Sequence, residues 1–204
     1  MSPSSALATC SPEQIRAAVV AQYGQVATDP AGAFAFPVGR AFAAAVGYPP
    51  AALDRLPAPA SRSFAGVTYY HGRTALRPGE RVLDLGCGAG LDAIVAAEAV
   101  GPTGRVVAVD YAAEMVALAR ANARAAGMTN VRVEQAPVEA LPFPDASSDV
   151  AQANGVFNLS PQKARAVREV WRVLRPGGRL IAAEIALTEA VADRDRATLQ
   201  DWFR

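Results

Sequence analysis

Histidine, cysteine and surplus charge are scarce in this 204-residue sequence, and each scarcity excludes a class of function. The chain has one histidine, His71, and two cysteines, Cys10 and Cys87, which lie far apart and follow no metal-ligand spacing. A zinc site of cysteine and histidine cannot be assembled, so we predict no metal ligand. The formal net charge is only +1, whereas nucleic-acid binders carry a basic surplus that meets phosphates. We therefore expect no nucleic-acid partner.

Long apolar runs are also missing. None approaches the roughly 20 residues that a membrane-spanning helix needs, and the N-terminal sequence MSPSSALATC lacks the basic start and apolar core of a secretory signal. We therefore predict no membrane segment and a cytoplasmic location. Hydrophobic residues make up 51% and charged residues 19% of the chain, which is ordinary for a folded domain.

The N-terminal part of the sequence predicts short helices. A capping-box pattern at Ser11–Gln14 begins the first one, and further helices are predicted over Val38–Val46 and Ala51–Leu56, each ended by glycine or proline. We predict that residues 1–75 form a helical extension, and that this extension covers one side of a ligand site in a domain of residues 76–204.

From Arg81 onward, short apolar segments alternate with helical ones. The predicted strands cover Arg81–Leu85, Arg105–Val109, Val131–Glu134, Asp149–Ala153 and Arg179–Ala186. The predicted helices cover Leu91–Val100, Ala112–Ala126 and a segment whose apolar residues Val167, Val170, Trp171 and Leu174 follow helical spacing. This alternation predicts an α/β fold, with a parallel sheet between two layers of helices. Ligands of such sheets bind at the carboxyl ends of the strands.

A glycine-rich loop joins the first of these strands to its helix. Gly86, Gly88 and Gly90 let the backbone turn sharply and let a ligand approach it without intervening side chains. Asp110 follows the second strand, where a carboxylate accepts hydrogen bonds from two adjacent ribose hydroxyls. The G-x-G-x-G spacing differs from the G-x-G-x-x-G of dinucleotide enzymes, and Asp84 before the loop disfavours a phosphate and suits a cation. S-adenosylmethionine (SAM) carries a sulfonium and an ammonium group.

The loop and its surroundings resemble a known family. VLDLGCGAG followed by VVAVDYAAEMV resembles the first two motifs of class I SAM-dependent methyltransferases, and RVLRPGGRL resembles their segment entering the fifth strand. The resemblance implies a Rossmann-like sheet and SAM as the cofactor. The residues that it places at the cofactor are Gly86, Cys87 and Gly88 at the methionine end, Asp84 near the amino group, Asp110 at the ribose, and Tyr111 and Met115 beside the adenine. Gly90, which completes the loop, is counted with them.

One departure from the family pattern follows the third strand. Many relatives have an aspartate there that accepts a hydrogen bond from the adenine amino group, and this chain has Pro137 instead. We therefore expect the adenine to be recognised by the backbone around Val138, together with Glu139.

A second resemblance concerns the acceptor. The segment ANGVFNLSP, which contains Asn154, is similar to the N-x-V-x-N-L-S-P segment of arsenite methyltransferases. Those enzymes bind trivalent arsenic through cysteine thiolates, because a soft cation needs soft ligands. Gly155 stands where one of these cysteines is expected, the cysteine expected near Gly66 is missing, and a third would lie past the end of the chain. We predict that this protein does not methylate arsenite.

His71, Tyr70 and Asn154 are the candidate catalytic residues. Methyl transfer is an in-line displacement in which alignment supplies much of the acceleration, and a base is needed only where the nucleophile loses a proton. Histidine is the residue type whose unperturbed pKa lies near neutrality, and His71 is the one histidine of the chain. Packing roles explain His71 and Tyr70 as well, and Asn154 either contacts the cofactor or the substrate, or caps the end of its strand.

The sequence thus predicts a SAM-dependent methyltransferase with a small-molecule acceptor that it does not specify. Two alternatives stay open, namely a non-catalytic or impaired SAM-binding module and a nicotinamide-dependent oxidoreductase. The family's sheet normally has seven strands, and we expect strands 6 and 7 to be absent because few residues follow Ile185. The fifth strand would then be an open edge, covered by a second copy in a homodimer or by the tail Ala190–Arg204.

Overall fold

Residues 11–186 are described by the structure, a computed structural model, and their N-terminal part is helical. The helices are α1 (Pro12–Thr28), α2 (Arg40–Ala45), α3 (Pro50–Arg55), α4 (Ala58–Arg62) and α5 (His71–Thr74). The predicted capping box is present in α1, because the Ser11 side chain accepts a hydrogen bond from the Gln14 N–H at 3.2 Å and the Gln14 side chain accepts one from the Ser11 N–H at 2.7 Å. Helices α4 and α5 are too short to show a helical period, so the sequence pattern did not predict them.

A parallel sheet of five strands forms the centre of the described residues, and its strand order is β3-β2-β1-β4-β5. The strands are β1 (Arg81–Leu85), β2 (Arg105–Asp110), β3 (Val131–Gln135), β4 (Ser148–Asn154) and β5 (Leu174–Ala183). The remaining helices are α6 (Leu91–Val100), α7 (Ala113–Ala125) and α8 (Lys163–Val173). All neighbouring strands run parallel. The predicted α/β fold, a Rossmann-like sheet with N-terminal helices, is confirmed.

Both faces of the sheet are covered, as the alternation of β1 requires. Val82 packs in one buried cluster with Ala93 of α6, and Leu83, its neighbour in the strand, packs in another with Val170 of α8. Successive side chains of a strand point to opposite faces. The glycine loop that follows β1 therefore starts from a strand that is held on two sides.

The buried face of α8 differs from the predicted one. The predicted stripe contains Val167 and Trp171, but these residues are 49% and 82% exposed, whereas Ala166, Val170 and Val173 are buried. Both sets follow helical spacing and share Val170, so the period alone does not distinguish them. The smaller set lies against the sheet, and Leu174, the last residue of the predicted stripe, already begins β5.

Strand β5 is one edge of the sheet in residues 11–186, and β3 is the other. It begins at Leu174, earlier than the predicted Arg179, because Leu174 pairs with Ser148 before a register shift brings Arg179 opposite Val150. Coverage of this edge by a second copy stays a prediction, and the tail Ala190–Arg204 lies outside the described residues. Over the same residues, no helix is both long and apolar enough to cross a membrane.

Asp149 joins three strands by ion pairs at the amino ends of the sheet. Its carboxylate accepts hydrogen bonds from the Arg81 N–H at 2.7 Å, from the Arg81 guanidinium at 3.1 Å and from the Arg175 guanidinium at 2.6 Å. The hydrogen bonds from the Arg81 side chain contribute most to lowering the pKa of Asp149 from 3.8 to about 2. A carboxylate with a lowered pKa stabilises the fold above its ordinary pKa, and this contribution is lost as the pH falls through the lowered value.

We therefore expect Asp149→Asn to lower the free energy of unfolding by about 1 kcal/mol at neutral pH, because solvent screens the half-exposed arginines. Urea denaturation between pH 7 and pH 2 measures the effect, and the gap between wild type and variant should close as the pH approaches 2. Asp145→Asn, at a carboxylate that is 79% exposed, is the control with little effect. A gap that stays constant over the whole range would contradict this assignment.

Candidate active site

A pocket opens at the carboxyl ends of β1, β2 and β4. Parts of α1 and of residues 60–66 form one wall, and parts of residues 154–161 form another. The pocket lies beside β1, where the order of the strands changes direction, which is the usual ligand position in such sheets. The predicted cofactor residues that line it are Gly86, Cys87, Gly88, Asp110, Tyr111, Met115, Val138, Glu139 and Asn154.

The glycine loop has the backbone that its sequence requires. Gly86 and Gly88 have φ angles of +63° and +51°, a region that side chains disfavour. A Cβ atom at Gly86 would lie 2.5 Å from Cγ2 of Val156, whereas a Cβ atom at Gly88 would meet nothing within 4 Å. Because Gly88 lines the pocket, the space beside its bare backbone is open to a ligand. Cys87 lies between them, and burial raises the pKa of its thiol well above the usual value, so the thiol is neutral.

Asp110 faces the loop from the end of β2. Its carboxylate accepts hydrogen bonds from the N–H of Gly88 at 2.8 Å and from the N–H of Ala112 at 3.0 Å. Burial raises the pKa of Asp110, although these backbone hydrogen bonds oppose the shift. The carboxylate therefore holds the loop in place and also lines the pocket. Its remaining lone pairs are able to accept two further hydrogen bonds from adjacent hydroxyl groups.

Apolar and aromatic side chains form the pocket wall on the Asp110 side. Met115 is buried and Tyr111 is partly exposed. Sequence reasoning missed Tyr23, which reaches the pocket from α1 and stacks on Phe36 with ring centroids 5.4 Å apart. In the sequence, Tyr23 stands out only as one of the apolar residues at helical spacing in α1. Such spacing indicates packing and not contact with a ligand.

Glu139 lies in the wall after β3, next to Val138. Its carboxylate accepts a hydrogen bond from the Ser160 hydroxyl at 2.6 Å, and the Arg16 side chain lies 3.9 Å away. Glu139 therefore joins the segment after β3 to the segment after β4 and to α1. The predicted role of this residue at the adenine stays a prediction.

Asp84 and Gly90 do not line the pocket. Asp84 shares the face of β1 that is turned toward α6, where its carboxylate accepts a hydrogen bond from Gln152 at 3.1 Å. Burial, and next the charge of Asp92, raise the pKa of Asp84 well above the usual value. Gly90 caps α6, and a Cβ atom there would lie 3.2 Å from Cβ of Ala119. Gly90 therefore allows α6 to pack closely against α7, and its predicted place among the cofactor residues stays a prediction.

Asp92, which the sequence analysis did not single out, is a second acidic residue near the loop, whereas the predicted place of Asp84 at the amino group stays a prediction. It lies in the first turn of α6, is buried and lines the pocket. Its carboxylate accepts hydrogen bonds from the Tyr48 hydroxyl, from His71 Nε2 at 2.8 Å and from Asn154 Nδ2 at 2.9 Å. Burial alone would raise the pKa of Asp92, but the hydrogen bonds and the charge of His71 outweigh it and lower the pKa.

The candidate catalytic residues have different positions. The side chains of His71 and Tyr70 are buried, and neither residue is among those that line the pocket. Asn154 does line the pocket, and its side-chain oxygen accepts hydrogen bonds from the N–H groups of Val67 at 2.6 Å and Thr68 at 3.2 Å. Asn154 therefore fastens the segment before α5 to the end of β4.

The donor set of the pocket suits SAM. The described residues contain no group of three or more histidine, cysteine, aspartate or glutamate residues that could hold a metal ion. The bare loop at Gly88, the carboxylate of Asp110 and the apolar side chain of Met115 match a loop contact, a ribose and an adenine. The buried carboxylate of Asp92 adds a negative charge to the wall of the same pocket.

Comparison with known proteins places the sequence among methyltransferases. Residues 76–204 match the family model described as a methyltransferase domain. The chain is 43% identical over 119 residues to an arsenite methyltransferase of Halobacterium salinarum, a match that covers 58% of this chain and 30% of the relative. It is 39% identical over 111 residues to a ubiquinone/menaquinone biosynthesis C-methyltransferase of Vibrio vulnificus, covering 54% of this chain and 43% of the relative.

Solved structures agree with these matches. An arsenic(III) SAM methyltransferase from Chlamydomonas reinhardtii superposes with a TM-score of 0.60 at 32% identity, over 78% of this chain and 53% of that one. A SAM-dependent methyltransferase from Aquifex aeolicus has the same fold, with a TM-score of 0.55 at 24% identity, over 72% of this chain and 75% of that one. The chain spans only 30% to 41% of the length of the first curated relatives it matches.

Proposed function

Because the chain belongs to the methyltransferase domain family, with SAM as its cofactor, we propose that it transfers the methyl group of SAM to a small-molecule acceptor. One observation carries the proposal: the glycine loop and Asp110 share a single pocket with a second, largely apolar wall that contains Phe64, Val156 and Leu159. A cofactor held by the first set leaves its methyl group facing the second, where a small acceptor is enclosed.

The chain's own residues act mainly by binding and alignment. Bound SAM supplies a methyl group on a positively charged sulfur. Asp110 binds the ribose, the Gly86–Gly88 backbone lies along the methionine part, and Val156 and Phe64 exclude water from the acceptor. Because His71 and Tyr70 do not reach the pocket, we propose that neither is a general base and that alignment supplies most of the acceleration. The described part of the N-terminal extension, residues 11–75, completes the acceptor wall.

We also propose that the acceptor is not arsenite, although arsenite methyltransferases are among the relatives. Cys87 is the one cysteine of residues 11–186, and its buried thiol is neutral, whereas trivalent arsenic needs several thiolates. Gly155, which stands where the family has a cysteine, has a φ of +83°, and a Cβ atom there would lie 3.2 Å from Cγ2 of Val67. The local backbone therefore disfavours a cysteine at this position.

Incubation of the purified chain with methyl-labelled SAM and a panel of small amines, thiols, phenols and arsenite tests the proposal. We expect label on at least one organic acceptor, with release of S-adenosylhomocysteine, and none on arsenite. A chain that binds SAM by calorimetry but labels no member of the panel would support the non-catalytic binding module instead. Label on arsenite would overturn the exclusion of arsenic.

A further inference from the structure

Asp92 is a buried carboxylate at the wall of the pocket, held there by donors of the protein. Its side chain is 9% exposed, and in the described part of the chain the only basic group within 4 Å of it is His71. Burying a carboxylate is costly unless the charge is paired or well hydrogen-bonded.

His71 holds Asp92 through one ring nitrogen. Its Nε2 lies 2.8 Å from the Asp92 carboxylate, so that nitrogen carries the proton of the hydrogen bond. Its Nδ1 is buried and, within the described residues, has no hydrogen-bond partner. His71 therefore orients Asp92 by a single hydrogen bond.

The other partners of Asp92 are neutral side chains. Tyr48 and Asn154 donate hydrogen bonds to its two oxygens, and Asn154 is in turn held by the backbone of Thr68 at 3.0 Å. The network thus fixes an ionised carboxylate at the pocket wall, with donors on its protein side and the pocket before it.

The orientation of the cofactor brings its positive charge to this end of the pocket. If Asp110 binds the ribose and Met115 packs beside the adenine, the rest of SAM extends past the Gly86–Gly88 loop toward the start of α6. The sulfur is attached to the ribose through a single carbon, so the sulfonium is the first charged group in that direction. In S-adenosylhomocysteine the same sulfur is neutral, while the ammonium and carboxylate groups are unchanged.

We propose that Asp92 is the counter-charge to the sulfonium of SAM, held in place by His71, Tyr48 and Asn154. The proposal rests on the proposed function, because it requires SAM to bind in this pocket. It assigns cofactor recognition to Asp92 and positioning roles to the three donors. The pocket then distinguishes SAM from its demethylated product by charge, and the product binds less tightly once the methyl group has been transferred.

Titration calorimetry of wild type and Asp92→Asn with three ligands tests this assignment. The ligands are SAM, S-adenosylhomocysteine and sinefungin, in which an amine-bearing carbon replaces the sulfur and restores a positive charge. We expect Asp92→Asn to weaken SAM and sinefungin about 30-fold, and S-adenosylhomocysteine by less than about threefold. Asp54→Asn, at an exposed carboxylate outside the pocket, is the control for net charge and should alter none of the three.

Equal weakening of all three ligands by Asp92→Asn would overturn the proposal, because it would assign Asp92 to the ammonium group that they share. No weakening of any ligand would overturn it too, since Asp92 would then only fasten the N-terminal helices. If circular dichroism shows that Asp92→Asn does not fold, the wild type carries the test. Sinefungin should bind at least about tenfold tighter than S-adenosylhomocysteine, and equal affinities would refute the charge assignment. Failure of all three to bind the wild type would instead refute the proposed function.

Discussion

Asp110→Ala is expected to weaken SAM binding about 100-fold, because the proposed position of the ribose gives Asp110 two charge-assisted hydrogen bonds that are lost together. The same carboxylate accepts the N–H of Gly88 at 2.8 Å. Without it, that N–H loses its acceptor and the loop loses the contact that fixes it against β2. The affinity therefore falls both through the missing contact with the sugar and through a less ordered loop. Titration calorimetry with SAM measures the change.

Asp110→Asn separates these two effects. The amide keeps one oxygen acceptor and the shape of the side chain, but it loses the charge and places an amino group beside either Gly88 or the sugar. We expect an affinity between those of the wild type and Asp110→Ala. Thermal unfolding without ligand reports on the loop alone. Unchanged SAM affinity in both variants would remove the basis for placing the ribose at the end of β2.

The sequence predicted the parts of the site that neighbouring residues determine. The bounds of β1 and α6 were predicted correctly, and the G-x-G-x-G loop between them follows from its glycines alone. Asp110 was identifiable because a strand end opposite such a loop is a fixed position in this fold. These features depend on short-range patterns, and a single motif contains all of them.

Asp92 was missed for a physical reason. An acidic residue in the first turn of a helix is common, because it complements the helix dipole, so its presence signals nothing further. What sets Asp92 apart is its set of partners, Tyr48, His71 and Asn154, which come from a loop, a short helix and a strand end far away in the sequence. Asp84 carried the sequence signal for a cation, and in the structure it bonds to Gln152 and is not among the residues that line the pocket.

The opposite case is Gly86, where a local signal has a long-range cause. The sequence explains this glycine by the turn alone, and its φ of +63° agrees. The structure adds that a Cβ atom would lie 2.5 Å from Cγ2 and 2.8 Å from Cβ of Val156. Val156 lines the pocket from the segment after β4, so a side chain at position 86 would displace part of the pocket wall as well as strain the loop.

Gly86→Ala is therefore expected to lower the free energy of unfolding by about 3 kcal/mol, from backbone strain and overpacking together, and the melting temperature by about 10 °C. Gly101→Ala is the matched control, because Gly101 has a φ of +67° and a Cβ atom there would meet nothing within 4 Å. It should cost only the strain, about 1 kcal/mol. Differential scanning calorimetry of the two variants measures the difference.

A second substitution at Val156 distinguishes the clash from any other effect of Gly86→Ala. If the methyl group of the new alanine collides with Val156, then Val156→Ala should recover most of the excess loss in the double variant, and the two changes should be strongly non-additive. If the loss comes from the backbone alone, Val156→Ala should add its own cost and recover nothing. Equal destabilisation by Gly86→Ala and Gly101→Ala would lead to the same conclusion. The close packing of the loop against the segment after β4 would then contribute nothing to stability. The N-terminal helices would have to determine the shape of this part of the pocket instead.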